Sequence, residues 1–152
     1  TTTPVSQLRP IQMLPHFDTP APNQLAVVHY LFGQELFGQE LLGEELSGPE
    51  QGGTSFYRHR QTGYETITPA RLAEYRGQLK QQAMQAQLHK NPAYIDGDTD
   101  LFERLHCFAA KFNRALIYPS NALHSGDIKP AAGLSDDPRQ GRLTANSFVV
   151  VG

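Results

Sequence analysis

Short apolar runs, each closed by proline or glycine, constrain this fold more than any other feature. Pro4, Pro10, Pro15, Pro20 and Pro22 punctuate the first part of the chain, and proline fits neither a helix interior nor a central strand. Leu25 to Leu31 (LAVVHYL) is a near-continuous, β-branched stretch that reads as a buried strand. A second strand follows the turn at Gly52-Gly53, runs through Phe56 and Tyr57 to Arg58-His59-Arg60, and turns at Gln61-Thr62-Gly63. Three more strand-like runs finish the chain: Phe102 to Phe112, Ala115 to Tyr118, and Arg142 to Val151. One long helix is expected, with Thr68 as N-cap, Pro69 in the first helical position, and a stop at Asn91-Pro92 after about Leu88. Leu72, Tyr75, Leu79, Ala83 and Ala86 share one of its faces, while the other face is rich in Gln, Lys and Arg and reads as solvated. Strands joined by short turns with a single helix imply a mainly β, antiparallel architecture. Its simplest form is a jelly roll with the helix on the outer face.

At 152 residues the chain is one domain with room for a real core. Its net charge of -2 makes no electrostatic case for nucleic acid or for an anionic membrane. There is no apolar run of membrane-spanning length and no signal peptide. A single cysteine, Cys107, excludes an internal disulfide and favours a reducing, cytoplasmic compartment. Two segments depart from the strand pattern. Leu31 to Glu50 holds four tandem pentads, LFGQE, LFGQE, LLGEE and LSGPE, with Gly33, Gly38, Gly43 and Gly48 in register. A period of five matches neither strand nor helix, and the block is too short to stack as a solenoid, so it reads as an acidic loop insertion. The Pro-, Gly- and Asp-rich stretch Asp127 to Gln140 reads as a second loop insertion.

The chemistry-bearing residues lie far apart. His16-Phe17-Asp18 stands near the start, and Leu123-His124-Ser125-Gly126 near the end. Alternate residues on extended chain share a face, so His16 and Asp18 can address one ion while Phe17 packs away. His124 from a distant strand would complete two imidazoles and a carboxylate. That set holds Fe(II) on one side and leaves the opposite side open. Arg142, after the second His, offers the planar donor fork that a dicarboxylate co-substrate needs. Thr144, two residues on, shares the face of Arg142 and could add a hydroxyl donor.

In their order, PHFD (15–18), LAVVHYL, GGTSFY, NRALIYPSNALHSG and GRLTANSF resemble the Fe(II)- and 2-oxoglutarate-dependent dioxygenases, in the prolyl-4-hydroxylase-like branch and most closely its bacterial members. The matching pieces span roughly His16 to Phe148. The resemblance implies a double-stranded β-helix (jelly roll), a single iron on His16, Asp18 and His124, and 2-oxoglutarate as co-substrate held by Arg142 and Thr144. It also casts Tyr30 as a tyrosine donating to the same carboxylate. The implied activity is hydroxylation of a small-molecule or peptidyl substrate with release of succinate and CO2. Few residues precede His16, so the resemblance further implies an N-terminally truncated barrel. The oligomeric state is open.

Each residue has a plainer competitor. His124 could cap a turn at Ser125-Gly126, and Arg142 could pair with Asp136 or Asp137. Arg139, on the loop, is an alternative anion binder. Two other readings of the whole chain stand beside the enzyme: a non-catalytic jelly-roll binding domain, and an inactive fragment of a larger oxygenase. Of the remaining histidines, His29 and His106 read as core or cavity-wall residues. His59, between two arginines, reads as exposed, and His89 lies at the helix C-terminus, where a partial positive charge is favourable. Cys107 reads as a small buried apolar residue.

Overall fold

The computed structural model describes residues 5–32, 52–129 and 141–152. Most of the pentad block, and Asp136, Asp137 and Arg139 of the second loop, lie outside the described residues.

Six strands and one α-helix are present among the described residues: β1 (Gln24–Tyr30), β2 (Thr54–His59), α1 (Pro69–Gln85), β3 (Phe102–Phe108), β4 (Ala115–Pro119), β5 (His124–Gly126) and β6 (Thr144–Val150). They form two antiparallel three-stranded sheets, ordered β4-β1-β6 and β3-β2-β5. The architecture is therefore mainly β with one long helix, as expected. The two sheets face each other, joined by the Phe56 and Tyr118 rings at 5.0 Å and by a 2.7 Å bond between the Tyr30 hydroxyl and Thr54 Oγ1. No ladder among the described residues links one sheet to the other, so they do not close into a barrel. No helix among the described residues is long and apolar enough to cross a membrane.

The core lies on the other side of the β3-β2-β5 sheet, under α1. Leu14, Tyr57, Ile67, Tyr75, Ile95, Phe102 and Leu123 are buried together there, with Phe17, Leu72, Leu79 and Leu88 packed against them. Leu72, Tyr75 and Leu79 follow the spacing that puts one helical face inward. Thr68 stands at the N-cap and Pro69 opens the helix, although the Thr68 hydroxyl makes no capping bond. The helix ends three residues earlier than Leu88. Gln87 takes a left-handed conformation (φ 49°), and the short 3-10 turn Leu88–Lys90 carries Leu88 back onto the core.

Strand alternation overturns the expected exposure of His59. Arg58 and Arg60 point outward to Glu65, Glu103 and Asp98, so His59 between them points inward. It is fully buried, bonded to Thr62 Oγ1 at 2.9 Å and Gln82 Oε1 at 2.7 Å, with the Tyr75 and Phe102 rings each 5.3 Å away.

Two other expectations fail beside a register shift. Phe56 pairs with His106 but Tyr57 with Arg104, leaving Leu105 as a bulge in β3. One extra residue turns every later side chain to the opposite face. The shift takes His106 off the face of Tyr57 and Phe102 and puts Cys107 on it, yet Cys107 lies towards the end of the sheet and is exposed rather than buried. Its thiol donates to Asp127 Oδ2 at 3.0 Å, and the buried Asp127 carboxylate also accepts from the Ser55 hydroxyl at 2.7 Å. His106 is exposed, and His29 is half-buried with Nε2 2.9 Å from Asn113 Oδ1. Neither is a core residue.

Candidate metal centre and its cavity

His16 and Asp18 reach the site without a regular strand. A single antiparallel bridge pairs His16 with His124, each backbone N–H donating to the other's carbonyl at 2.8 Å. Two residues on, the Asp18 N–H donates to the Ser120 carbonyl at 2.8 Å. The segment is thus sewn to β5 and to the turn that introduces it. Phe17, between the two, turns to the core and meets the Tyr75 ring edge-on at 6.2 Å.

The donor atoms of His16, Asp18 and His124 lie within 4.8 Å of one another. The two imidazole centroids are 4.3 Å apart, and His124 Nε2 is 3.9 Å from Asp18 Oδ2. His124 is buried, whereas His16 and Asp18 stand at the exposed rim. Desolvation nevertheless acts on all three, because protein packed around a concave mouth displaces solvent even where a side chain keeps accessible surface. Burial pushes His16 down to about 4, and the neighbouring His124 adds to the effect. Burial also lowers His124, against the pull of the Ala122 carbonyl and Asp18, and it raises Asp18 against the pull of His124.

These groups fit a divalent cation. His124 Nδ1–H donates to the Ala122 carbonyl at 2.9 Å, which fixes the tautomer and leaves the Nε2 lone pair facing Asp18. With both rings neutral, the His124 lone pair, a His16 ring nitrogen and the Asp18 carboxylate lie within 4.8 Å of one another, a donor set that a cation could draw together. The set is looser than a closed coordination sphere, whose ligands sit roughly 2.0–2.2 Å from the ion. The rim residues His16 and Asp18 are the members with space to close.

Arg142 reaches the same cavity from the segment just before β6. Its Nε–H and Nη2–H donate to the Gly52 and Gly53 carbonyls, both at 3.0 Å. Glycine is required there: a Cβ on Gly52 would lie 1.7 Å from the Asp127 carbonyl oxygen, and one on Gly53 would lie 1.7 Å from that of Phe108. The guanidinium also rests over the Tyr30 and Phe32 rings, at 5.6 and 5.9 Å. So held, and hydrogen-bonded to the Tyr30 side chain as well, Arg142 lines the cavity as a fixed positive charge able to meet an anion. Burial lowers its pKa, opposed by Tyr30 and Asp127, but a guanidinium stays charged throughout.

The cavity, about 180 Å3, is lined by His16, Asp18 and His124, by Arg142 and Thr144, and by walls from both sheets. Five of the six expected site residues therefore meet on one cavity. Tyr30 stands behind it: fully buried, its hydroxyl bonded to Thr54 Oγ1, it supports Arg142 from beneath and is not part of the lining. The tyrosine that does line the cavity is Tyr118, whose ring packs 4.8 Å from that of His124. Burial and the nearby Asp18 carboxylate raise the Tyr118 hydroxyl, so it is present as a donor. Asn146 and Phe148 also line the wall, continuing the alternation of Arg142 and Thr144 along β6. That period was readable in the sequence, whereas the packing of Tyr30 against Thr54 and Arg142, which leaves Tyr118 to line the cavity, was not.

The chain matches the model of a Family of unknown function (DUF6445) over residues 1–44 and 45–149. It belongs to that family. No curated protein and no solved structure matches it.

Proposed function

We propose that the chain is an Fe(II)- and 2-oxoglutarate-dependent oxygenase built on a double-stranded β-helix of the prolyl-4-hydroxylase-like kind, hydroxylating its substrate with release of succinate and CO2. The observation that carries this reading is the meeting of His16, Asp18 and His124 within 4.8 Å, on the cavity that also receives Arg142. Two imidazoles and one carboxylate with an open side are the donor set of non-haem iron oxygenases. Facing sheets with the cavity between them support the jelly-roll reading. The exposed free thiol of Cys107 fits a reducing, cytoplasmic setting.

His16, Asp18 and His124 would hold the iron, which supplies the activation of dioxygen that attack on an aliphatic C–H bond requires. The protein supplies the rest. Arg142, aimed by Gly52 and Gly53, pairs with the far carboxylate of 2-oxoglutarate, with Thr144 as a second donor. The lowered pKa of each imidazole keeps both rings available as ligands at neutral pH. Tyr118 offers a protonated hydroxyl to an oxygen at the metal end of the cavity. Ala26 and Val28 form the apolar floor that limits water.

An anaerobic titration with Fe(II) and 2-oxoglutarate tests this directly. The expected result is the visible charge-transfer band of a chelated 2-oxo acid, absent in His124→Ala. A folded wild-type protein that gives no band with saturating reagents would refute the assignment.

A further inference from the structure

Behind the Arg142 end of the cavity lies a carboxylate that the candidate site does not use. Asp127 directly follows β5 and is only 4% exposed, and it is not among the lining residues. Its carboxylate accepts from the Ser55 hydroxyl at 2.7 Å and from the Cys107 thiol at 3.0 Å, both neutral donors. Among the described residues it enters no ion pair. A carboxylate buried in this way is costly unless a positive charge lies within reach.

Arg142 is that charge, and the backbone joins the two. The Asp127 N–H donates at 3.0 Å to the Gly53 carbonyl, which also accepts Arg142 Nη2–H at 3.0 Å. Asp127 packs so closely on Gly52 that a Cβ added there would lie 2.5 Å from Asp127 Cβ, and the Gly52 carbonyl accepts Arg142 Nε–H. Burial weighs against the guanidinium charge, and Tyr30 and Asp127 oppose that effect. Arg114, the other guanidinium whose field reaches Tyr30, bonds to the Ala109 carbonyl at 2.8 Å and does not line the cavity. One positive charge therefore faces the cavity at this end, with one negative charge set behind it.

Moving a second negative charge out of water is offset only where a second positive charge awaits it. Here Asp127 cancels the one that is present. A divalent cation on His16, Asp18 and His124 adds positive charge at the other end, where it meets whatever group chelates it. Resting on the oxygenase reading above, we propose that Asp127 is a specificity-determining residue of the Arg142 end. Acting from behind the Gly52 and Gly53 carbonyls, it admits a group with one negative charge, such as a carboxylate, and refuses a phosphoryl or phosphonyl group carrying two.

The test is competition, followed by ligand-observed NMR on the full chain with and without Zn(II), between glutarate and 4-phosphonobutyrate. It is run at about pH 8.5, where the phosphonate is a dianion. Wild type should hold glutarate at least about tenfold more tightly, the scale of one unit charge facing another across several ångströms of protein. Asp127→Asn keeps the size of the side chain and removes its charge. It should bring the two probes within about threefold of each other by tightening 4-phosphonobutyrate. Rejection by size alone would leave the ratio as in wild type, and a purely structural role would weaken both probes together; either result overturns the proposal. Equal binding of the two probes by wild type, or binding of neither, would do the same, and needs no variant to fold. Selectivity that vanishes in Asp127→Asn, without an iron and 2-oxoglutarate band from wild type, would keep the role of Asp127 and remove the oxygenase reading. The band without the selectivity would do the reverse.

Discussion

The β3-β2-β5 sheet carries a buried histidine on each face, and the two are spent differently. His59, on the core side, has both ring nitrogens occupied by the neutral side chains of Thr62 and Gln82. His124, on the cavity side, uses Nδ1 on a backbone carbonyl and turns Nε2 towards a carboxylate 3.9 Å away. Both are nearly inaccessible, so burial does not tell them apart. The difference is unspent bonding capacity. His59 sits in a closed network that adds rigidity, whereas His124 shares with His16 and Asp18 a cluster of donor atoms that the protein leaves unpaired enough to suit a cation.

The largest effects should come from exchanging these roles. His124→Ala should weaken metal binding by at least about 100-fold, since removing mere outer-shell partners already costs some 10–100-fold. The unfolding midpoint without metal should barely fall. Metal titration and thermal unfolding on the same samples check both halves. A variant that binds metal normally would reduce His124 to a second His59.

Arg142→Gln should act next, and elsewhere. Hydrogen bonds to a charged group are worth about 1.5–3 kcal/mol, so the 2-oxoglutarate midpoint should rise roughly 10- to 150-fold. Affinity for the metal alone should hold. If both affinities fall together, the guanidinium serves mainly to tie Gly52 and Gly53 to β6.

Gln82→Ala works on the opposite face. It leaves His59 Nε2 buried without a partner, at a cost of roughly 1–3 kcal/mol. Chemical denaturation should show that loss, and metal binding should be untouched. Any change in metal affinity would mean that the faces of this sheet are coupled and the contrast is false.

What could be read in the sequence follows the same divide. Long apolar or amphipathic runs announced β1, β2, β4 and α1, because alternation and helical period need several residues to show. β5 has only three residues and owes its strand character to its partners: β2 on one edge and the His16 bridge on the other. His16, Asp18 and His124 were legible as a candidate ligand set because their residue types are scarce and chemically specific, and the structure brings them together. Surroundings were harder. Arg58 and Arg60 made His59 look exposed, although alternation sends it inward. One bulge at Leu105 moved His106 off the core face, and no composition rule locates a bulge. Tyr30 and Tyr118 share the inward face of the β4-β1-β6 sheet, so alternation alone does not say which of them lines the cavity.

The smallest effect is a pH dependence, and it bears on the same contrast. His16 titrates near 4 in the folded chain against an ordinary value of 6.5. Between those values the unfolded chain binds the proton more readily, so stability of the metal-free protein should decline as pH falls from 6.5 towards 4. Above 6.5 both states leave the ring neutral and this contribution is flat. His124, lowered for the same reason of burial, adds to the slope, while Asp18, raised by burial, offsets part of it by taking up a proton in the folded state. Because His16 lies at the rim, solvent screening should keep its share modest. Unfolding midpoints from pH 7 to pH 4 should therefore fall less steeply in His16→Gln than in wild type, and a saturating divalent cation should steepen the wild-type slope because protons then compete with the metal. Identical slopes with and without the cation would show that these imidazoles, like His59, are already fully occupied by the protein.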